Sequence, residues 1–140
     1  MGLLGRLKRL TLRLGQEMEK TWATHGLNAA SFDVLATLRR SGPPFALSPG
    51  DLMATTMVTS GTMTNRIDQL EKAGLVDRSQ SPDDRRSFLI SLTDKGFHVI
   101  DAAVADHVAT QCRLVSGLSK QERRQLDALL KTFLTNVEAD

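Results

Sequence analysis

Two helix-start signals lie close together in the middle of the chain, and an alternating β pattern follows them. Ser48-Pro49-Gly50-Asp51 supplies an N-cap, a proline at the first helical position and an acid in the first turn. Thr59 or Ser60 then caps a second run that reaches Ala73, where Gly74 ends it. Two short helices joined by a tight turn are typical of a helix-turn-helix, so this segment constrains the fold strongly.

A short β-hairpin is expected directly after the second of these helices. The segment Leu75-Val76-Asp77-Arg78 is typical of a brief strand. Ser87–Leu92 alternates as its partner, with Phe88, Ile90 and Leu92 on one face. Between them, Ser81–Arg86 has turn composition with charge at its tip. A hairpin in this position is the wing of a winged helix-turn-helix.

Amphipathic helices are expected on both sides of this centre. The first runs from Leu3 to about Trp22, a long one from Thr93 to about Val115, and a capping box at Ser119 opens the last. The basic first helix fits packing against protein, although a membrane-surface helix has the same pattern. Apolar stripes on the terminal helices exceed what so small a core could bury, which predicts an obligate homodimer.

We therefore predict a mainly α fold with a small β-hairpin wing, in a single domain that spans residues 1–140. A winged helix-turn-helix lobe would occupy about 28–96, and helical dimerisation regions would occupy about 1–25 and 97–140. No linker in the chain is long enough to separate further domains.

The polar face of the helix at 59–73 is the first candidate for contact with nucleic acid. At about 100° per residue, Met63, Ile67 and Leu70 share a core face. Around the rest of the helix lie Thr62, Thr64, Asn65, Arg66 and Gln69. Such side chains suit base edges in a major groove. An ordinary solvated face has the same pattern, so this helix alone leaves both interpretations open.

The tip of the expected hairpin favours nucleic acid. Asp84-Arg85-Arg86 places guanidinium groups on the most protruding element, where an arginine can enter the minor groove. A neighbouring aspartate can hold such an arginine extended. The alternative is a surface ion pair that contributes little. Cations and anions balance from Thr59 to Lys95, so the placement of charge matters more than its sum.

Four motifs follow one another along the chain: Leu47–Leu52, Thr59–Val76, Asp83–Arg86 and Leu92–Gly96. Together they resemble the multiple antibiotic resistance regulator (MarR) family of bacterial transcription factors, over about 27–96. The resemblance implies an obligate homodimer with interlocked terminal helices. It also implies a repressor that small, often phenolic or otherwise aromatic, ligands release from DNA.

The resemblance further implies that Asp84 and Arg86 are the minor-groove pair of the wing. We therefore predict a regulator that binds a pseudo-palindromic operator in double-stranded DNA. Its candidate DNA contacts are Thr59, Ser60, Thr62, Thr64, Asn65, Arg66, Gln69, Arg78, Asp84, Arg85 and Arg86. The alternative is a winged-helix protein-interaction module without DNA binding, which should have a more apolar contact face.

An effector pocket is expected where the lobe meets the helical region. A ligand there would change the separation between the recognition helices of a dimer, which are the helices at 59–73 in the two copies. The first helix, a second helix that Asn28 would cap, and the start of the long helix after Thr93 should border it. The candidate lining residues are Met18, Trp22, His25 and Phe32. They would suit a small aromatic acid, although core packing also explains each residue separately.

The other chemistry-bearing residues form no catalytic or metal-binding pattern. The histidines lack an i, i+4 pair, and no elbow motif or phosphate loop is present. We therefore expect no enzyme, no metal and no cofactor. The single Cys112 should be buried as a structural residue, and the chain should work in the cytoplasm. No apolar run approaches the length of a membrane span, so a membrane partner is not expected.

Overall fold

The computed structural model describes residues 2–56 and 58–139, apart from the side chain of Ser60. Within them the helices are α1 (Leu3–Ala23), α2 (Ala29–Arg40), α3 (Pro49–Thr55), α4 (Ser60–Lys72), α5 (Asp94–Leu114) and α6 (Lys120–Glu138). The strands are β1 (Ala46–Leu47), β2 (Val76–Gln80) and β3 (Phe88–Leu92). The predicted mainly α fold with a small β-hairpin wing is confirmed.

Local capping determines where most of these helices begin. The side chains of Asn28, Ser48, Thr93 and Ser119 each accept a hydrogen bond from the backbone N–H three residues further on. At the starts of α2 and α6 the third residue returns a hydrogen bond, which completes a capping box. These are the caps that the sequence predicts, because capping depends only on neighbouring residues.

The sheet is larger than the predicted hairpin by one short strand. β2 and β3 pair antiparallel, with Val76 opposite Leu92 and Gln80 opposite Phe88. β1 pairs antiparallel with the other edge of β3, which gives the order β1-β3-β2. The two residues of β1 are too few for a period-two pattern, so this strand was not predicted from the sequence.

The apolar core lies between α2, α4, α5 and the sheet. From α4 it contains Met63, Ile67 and Leu70, each at most 4% exposed, as the helical periodicity predicts. Leu35 of α2 and Ile100 of α5 are fully buried in the same cluster. Because one side of α4 is held in this core, its opposite side must face solvent.

The terminal helices leave a wide apolar surface uncovered in the protomer. α1 packs along α5, yet no described residue of α1 or α6 is buried. The exposed apolar side chains on these two helices are Leu3, Leu4, Leu10, Leu12, Leu126, Leu129, Leu130, Phe133, Leu134 and Val137. At the turn between α5 and α6, Arg123 Nε donates to the carbonyls of Val115 and Leu118 at 3.2 and 3.1 Å.

Candidate nucleic-acid interface

Helix α4 presents its polar side chains to solvent on the side away from the core. Thr62, Thr64, Asn65 and Gln69 are exposed, and Arg66 is half-buried. The Thr59 hydroxyl, at the N-cap, donates to the Thr62 hydroxyl at 3.0 Å instead of capping a backbone N–H. Ser60 was also predicted as a DNA contact, but its side chain lies outside the described residues.

One hydrogen bond on α4 fixes the orientation of an amide. Arg66 Nη1 donates to Gln69 Oε1 at 2.7 Å, three residues further along the helix. The amide oxygen of Gln69 is therefore engaged, and its NH₂ group is directed elsewhere as a donor. A Cβ added at Gly61 would meet no atom within 4 Å, so the first turn of α4 has an open approach. This part of α4 can be approached closely by a backbone or a phosphate.

The wing tip is organised by Asp84. Its Oδ1 accepts from the backbone N–H of Arg86 at 2.9 Å, and its Oδ2 accepts from the Ser87 hydroxyl at 3.3 Å. The carboxylate thus stabilises the turn through the backbone, as Asx turns do. This differs from the expected contact with an arginine side chain. Arg85 and Arg86 are both exposed at the tip.

Arg78, which was predicted to contact DNA, forms ion pairs with two acids of its own chain. Its Nη2 lies 2.6 Å from Asp68 Oδ1, and its Nε lies 3.9 Å from Glu71 Oε2. Both acids belong to α4, whereas Arg78 belongs to β2. Its guanidinium carbon also lies 5.1 Å from the ring centre of Phe88 on β3. The arginine therefore joins the wing to the recognition helix.

A second junction ties the C-terminal end of α4 to the start of α5. Thr93 Oγ1 donates to the carbonyl of Gly74 at 2.6 Å and accepts from the N–H of Gly96 at 3.0 Å. Lys95 Nζ donates to the carbonyl of Ala73 at 3.0 Å. These bonds engage carbonyl groups at the helix end, where a cation is also favoured by the helix dipole. The Leu92–Gly96 motif thus couples the recognition helix to α5.

Two of the four candidate effector residues meet in an aromatic cluster between α1, α2 and α5. Trp22 and Phe32 stack with ring centres 5.1 Å apart, and His107 stacks on Trp22 at 5.9 Å. Trp22 Nε1 donates to His107 Nδ1 at 3.1 Å, which requires that nitrogen to be unprotonated. Partial burial lowers the pKa of the His107 imidazole from its ordinary value. His107 was not predicted from the sequence, because no local pattern on α5 places it against Trp22.

The other two candidates lie in different surroundings. His25 Nε2 is 2.7 Å from Asp106 Oδ2, in a hydrogen bond that joins the turn after α1 to α5. Met18 lines an open cavity of about 320 Å³ together with Leu14, Cys112 and Val115. The four residues therefore do not form one pocket in the protomer.

The expected burial of Cys112 is wrong. The thiol is exposed in the protomer, on α5 near its C-terminal end. The thiol lies beside the open cavity that Leu14 and Met18 of α1 also line, so the packing of α1 against α5 does not cover it. Among the described residues, no group of three or more His, Cys, Asp or Glu side chains could hold a metal ion. Within the same residues, no helix has the length and apolarity needed to cross a membrane.

Comparison with known proteins agrees with this geometry. The MarR family model matches residues 27–88, which contain α2, β1, α3, α4 and β2 and end at the first residue of β3. The regulator PecS of Dickeya dadantii, described as an HTH-type transcriptional regulator, is 40% identical over 130 residues, which cover 93% of this chain and 78% of PecS.

Two solved structures support the same assignment. A MarR mutant from E. coli in complex with operator DNA has a TM-score of 0.81 at 26% identity, covering 94% of this chain and 93% of that one. BpsR of Bordetella bronchiseptica has a TM-score of 0.82 at 28% identity, covering 99% and 95%; its structure is described as a mechanism for regulation of DNA binding by 6-hydroxynicotinic acid. The predicted family is confirmed, and the chain belongs to the MarR family of transcriptional regulators.

Proposed function

We propose that this chain is a sequence-specific transcriptional regulator that binds double-stranded operator DNA as a homodimer and acts as a repressor. The observation that carries this proposal is the pairing of two exposed elements. The polar side of α4 faces solvent, and the hairpin beside it carries Arg85 and Arg86 at an exposed tip. The operator complex of the related E. coli protein supports the same mode of binding.

Each element would read a different groove. α4 would enter the major groove, where Thr62, Thr64 and Asn65 would meet base edges. Thr59 and Ser60 at its start would lie near the phosphate backbone, and the NH₂ of Gln69 would be available to an acceptor. The exposed tip arginines would enter the minor groove, with Asp84 fixing the turn that carries them.

The assignment of a DNA-binding lobe and a dimerisation region follows from which residues are buried and which are exposed. Residues 28–96 would form the DNA-binding lobe, whereas 1–25 and 97–140 would form the dimerisation region. The exposed leucines of α1 and α6 would be covered by the second copy, as expected for a self-complementary two-fold interface. A regulator of this type acts on the chromosome, so its place would be the cytoplasm. A catalytic function has no support from the residues described above.

The aromatic cluster is the best-supported effector site. Trp22, Phe32 and His107 join α1, α2 and α5, and a small aromatic acid could stack on or displace these rings. BpsR, whose DNA binding is described as regulated by 6-hydroxynicotinic acid, gives a precedent for such a ligand. Titration of 6-hydroxynicotinic acid and salicylate should change Trp22 fluorescence at the concentrations that release DNA. A Trp22 signal that does not accompany release would place the effector elsewhere.

Arg86→Ala is the experiment that tests the proposed function. Loss of a groove-inserted arginine should weaken binding to a selected duplex by on the order of 10- to 100-fold, with the fold unchanged. Arg40→Ala is the matched control, because Arg40 donates within α2 to Thr37 and lies outside the proposed interface. If the protein selects no duplex from a random-sequence pool, the protein-interaction alternative replaces this proposal. If it does select one and Arg86→Ala binds like the control, the wing makes no groove contact.

A further inference from the structure

We propose that Arg78 is a positioning residue that holds the wing against the recognition helix, and that it makes no phosphate contact of its own. Its side chain is 32% exposed, and its guanidinium is shared between Asp68 and Glu71. The inference rests on the proposed DNA binding and concerns how the two DNA-reading elements keep their relative position.

The strand register explains why Arg78 faces α4. Arg78 lies opposite Ile90, and Val76 lies opposite Leu92. Residues that face each other across an antiparallel pair project to the same side of the sheet. Ile90 is fully buried, so Arg78 lies on the core-facing side of the hairpin. Asp77, its neighbour on β2, projects to the opposite side.

Three contacts then fix the guanidinium in one orientation. Asp68 is within hydrogen-bond distance at 2.6 Å, Glu71 is at 3.9 Å, and the Phe88 ring lies beneath the group at 5.1 Å. The acids lie three residues apart on one side of α4, and Phe88 begins the strand that returns from the wing tip. A planar group held by two carboxylates and a ring has less freedom than a single surface ion pair. The hairpin is thereby braced at the base of the segment that carries Arg86.

The contact between Arg78 and Asp68 predicts how DNA binding changes when the carboxylate of Asp68 is removed. Near DNA, removing a carboxylate ordinarily strengthens binding, because phosphate repulsion falls. If Arg78 is a brace, Asp68→Asn should instead weaken binding, since the wing loses its attachment to α4. If Arg78 were a phosphate ligand, Asp68→Asn would free it and strengthen binding. The two roles therefore predict opposite signs for the same substitution.

The test uses a duplex that the full-length protein selects from a random-sequence pool, together with a scrambled duplex. Arg78→Gln and Asp68→Asn should each weaken binding to the selected duplex about tenfold, and the double variant should lose no more than either alone. Asp77→Asn removes a carboxylate from the other side of the same strand and serves as the charge control. It should bind at least as well as the parent.

Salt dependence separates a positioning role of Arg78 from a direct phosphate contact. Arg78→Gln should keep the parental slope of log affinity against log salt, whereas removal of a phosphate contact lowers that slope by about 0.9. A slope lowered by that amount, additive losses in the double variant, or an Asp68→Asn variant that binds as well as the parent or better each overturns the inference. Failure of the parent to select any duplex would instead refute the proposed function. The two failures are therefore distinguishable.

Discussion

Gly96→Ala should disrupt the junction between the recognition helix and α5. Gly96 lies in the first turn of α5, against the backbone that leaves α4. A Cβ on this residue would lie 1.9 Å from the carbonyl oxygen of Leu75 and 2.9 Å from its carbonyl carbon. Both are backbone atoms, so no change of rotamer relieves the contact. The start of α5 must therefore move by about 1 Å, since Cβ atoms essentially never approach closer than 3.0 Å.

The loss of stability caused by Gly96→Ala can be estimated from the contacts and hydrogen bonds at this junction. Overpacking of a tight contact costs about 1–3 kcal/mol. The same movement would stretch two hydrogen bonds of Thr93, one to the Leu75 carbonyl at 3.2 Å and one to the Gly74 carbonyl at 2.6 Å. Each contributes about 1 kcal/mol. Alanine regains about 1 kcal/mol through its helix propensity. We expect the free energy of unfolding to fall by about 3 kcal/mol.

Urea unfolding measured by circular dichroism at one fixed protomer concentration gives this quantity, because the stability of a dimer depends on concentration. Gly50→Ala is the matched control. Gly50 also lies in the first turn of a helix, but the nearest atom to its added Cβ would be Ser48 Oγ at 3.8 Å. The control should change stability by less than about 1 kcal/mol. If Gly96→Ala is as stable as the control, the reasoning about this junction is refuted.

Three further predictions concern base reading, pH and assembly. Asn65→Ala should weaken binding to the selected duplex more than to a scrambled one, because an amide can pair with adenine; equal losses would make Asn65 a backbone contact. Burial lowers the pKa of His107, so its stabilising contribution is present above about pH 6.5 and is lost as the pH falls. His107→Gln should therefore reduce the loss of stability between about pH 7.5 and about pH 5.5. Sedimentation at micromolar concentration should show a dimer, and a folded monomer would contradict this prediction.

The features that the sequence predicted correctly depend on local interactions. Asn28, Ser48, Thr93 and Ser119 cap helices by bonding to residues only three positions away, so their role can be recognised from spacing alone. The core face of α4 follows in the same way from helical periodicity. The hairpin was identified because β3 alternates and a turn-rich segment precedes it.

The features that the sequence did not reveal depend on contacts between distant segments. Arg78 and Asp68 are on different elements, and only the strand register shows that the arginine faces α4. His107 meets Trp22 from a position 85 residues away, without any local signal. Cys112 was expected to be buried because cysteines usually are, but burial depends on what packs over α5. Composition alone could not supply that information.

Assembly and DNA reading should be one coupled equilibrium in this protein. No described residue of α6 is buried in the protomer, and most of the stability of a helix in a protein comes from packing of its amphipathic face. A second copy that covers its leucines would supply this packing. In a dimer the same contact would set the distance between the two α4 helices, because α5 leads into α6 and is bonded to the end of α4 through Thr93 and Lys95. Weakening the interface should therefore lower DNA affinity without removing any base contact. At protein concentrations below the dissociation constant of the dimer, the measured DNA affinity would then report dimer assembly rather than base recognition.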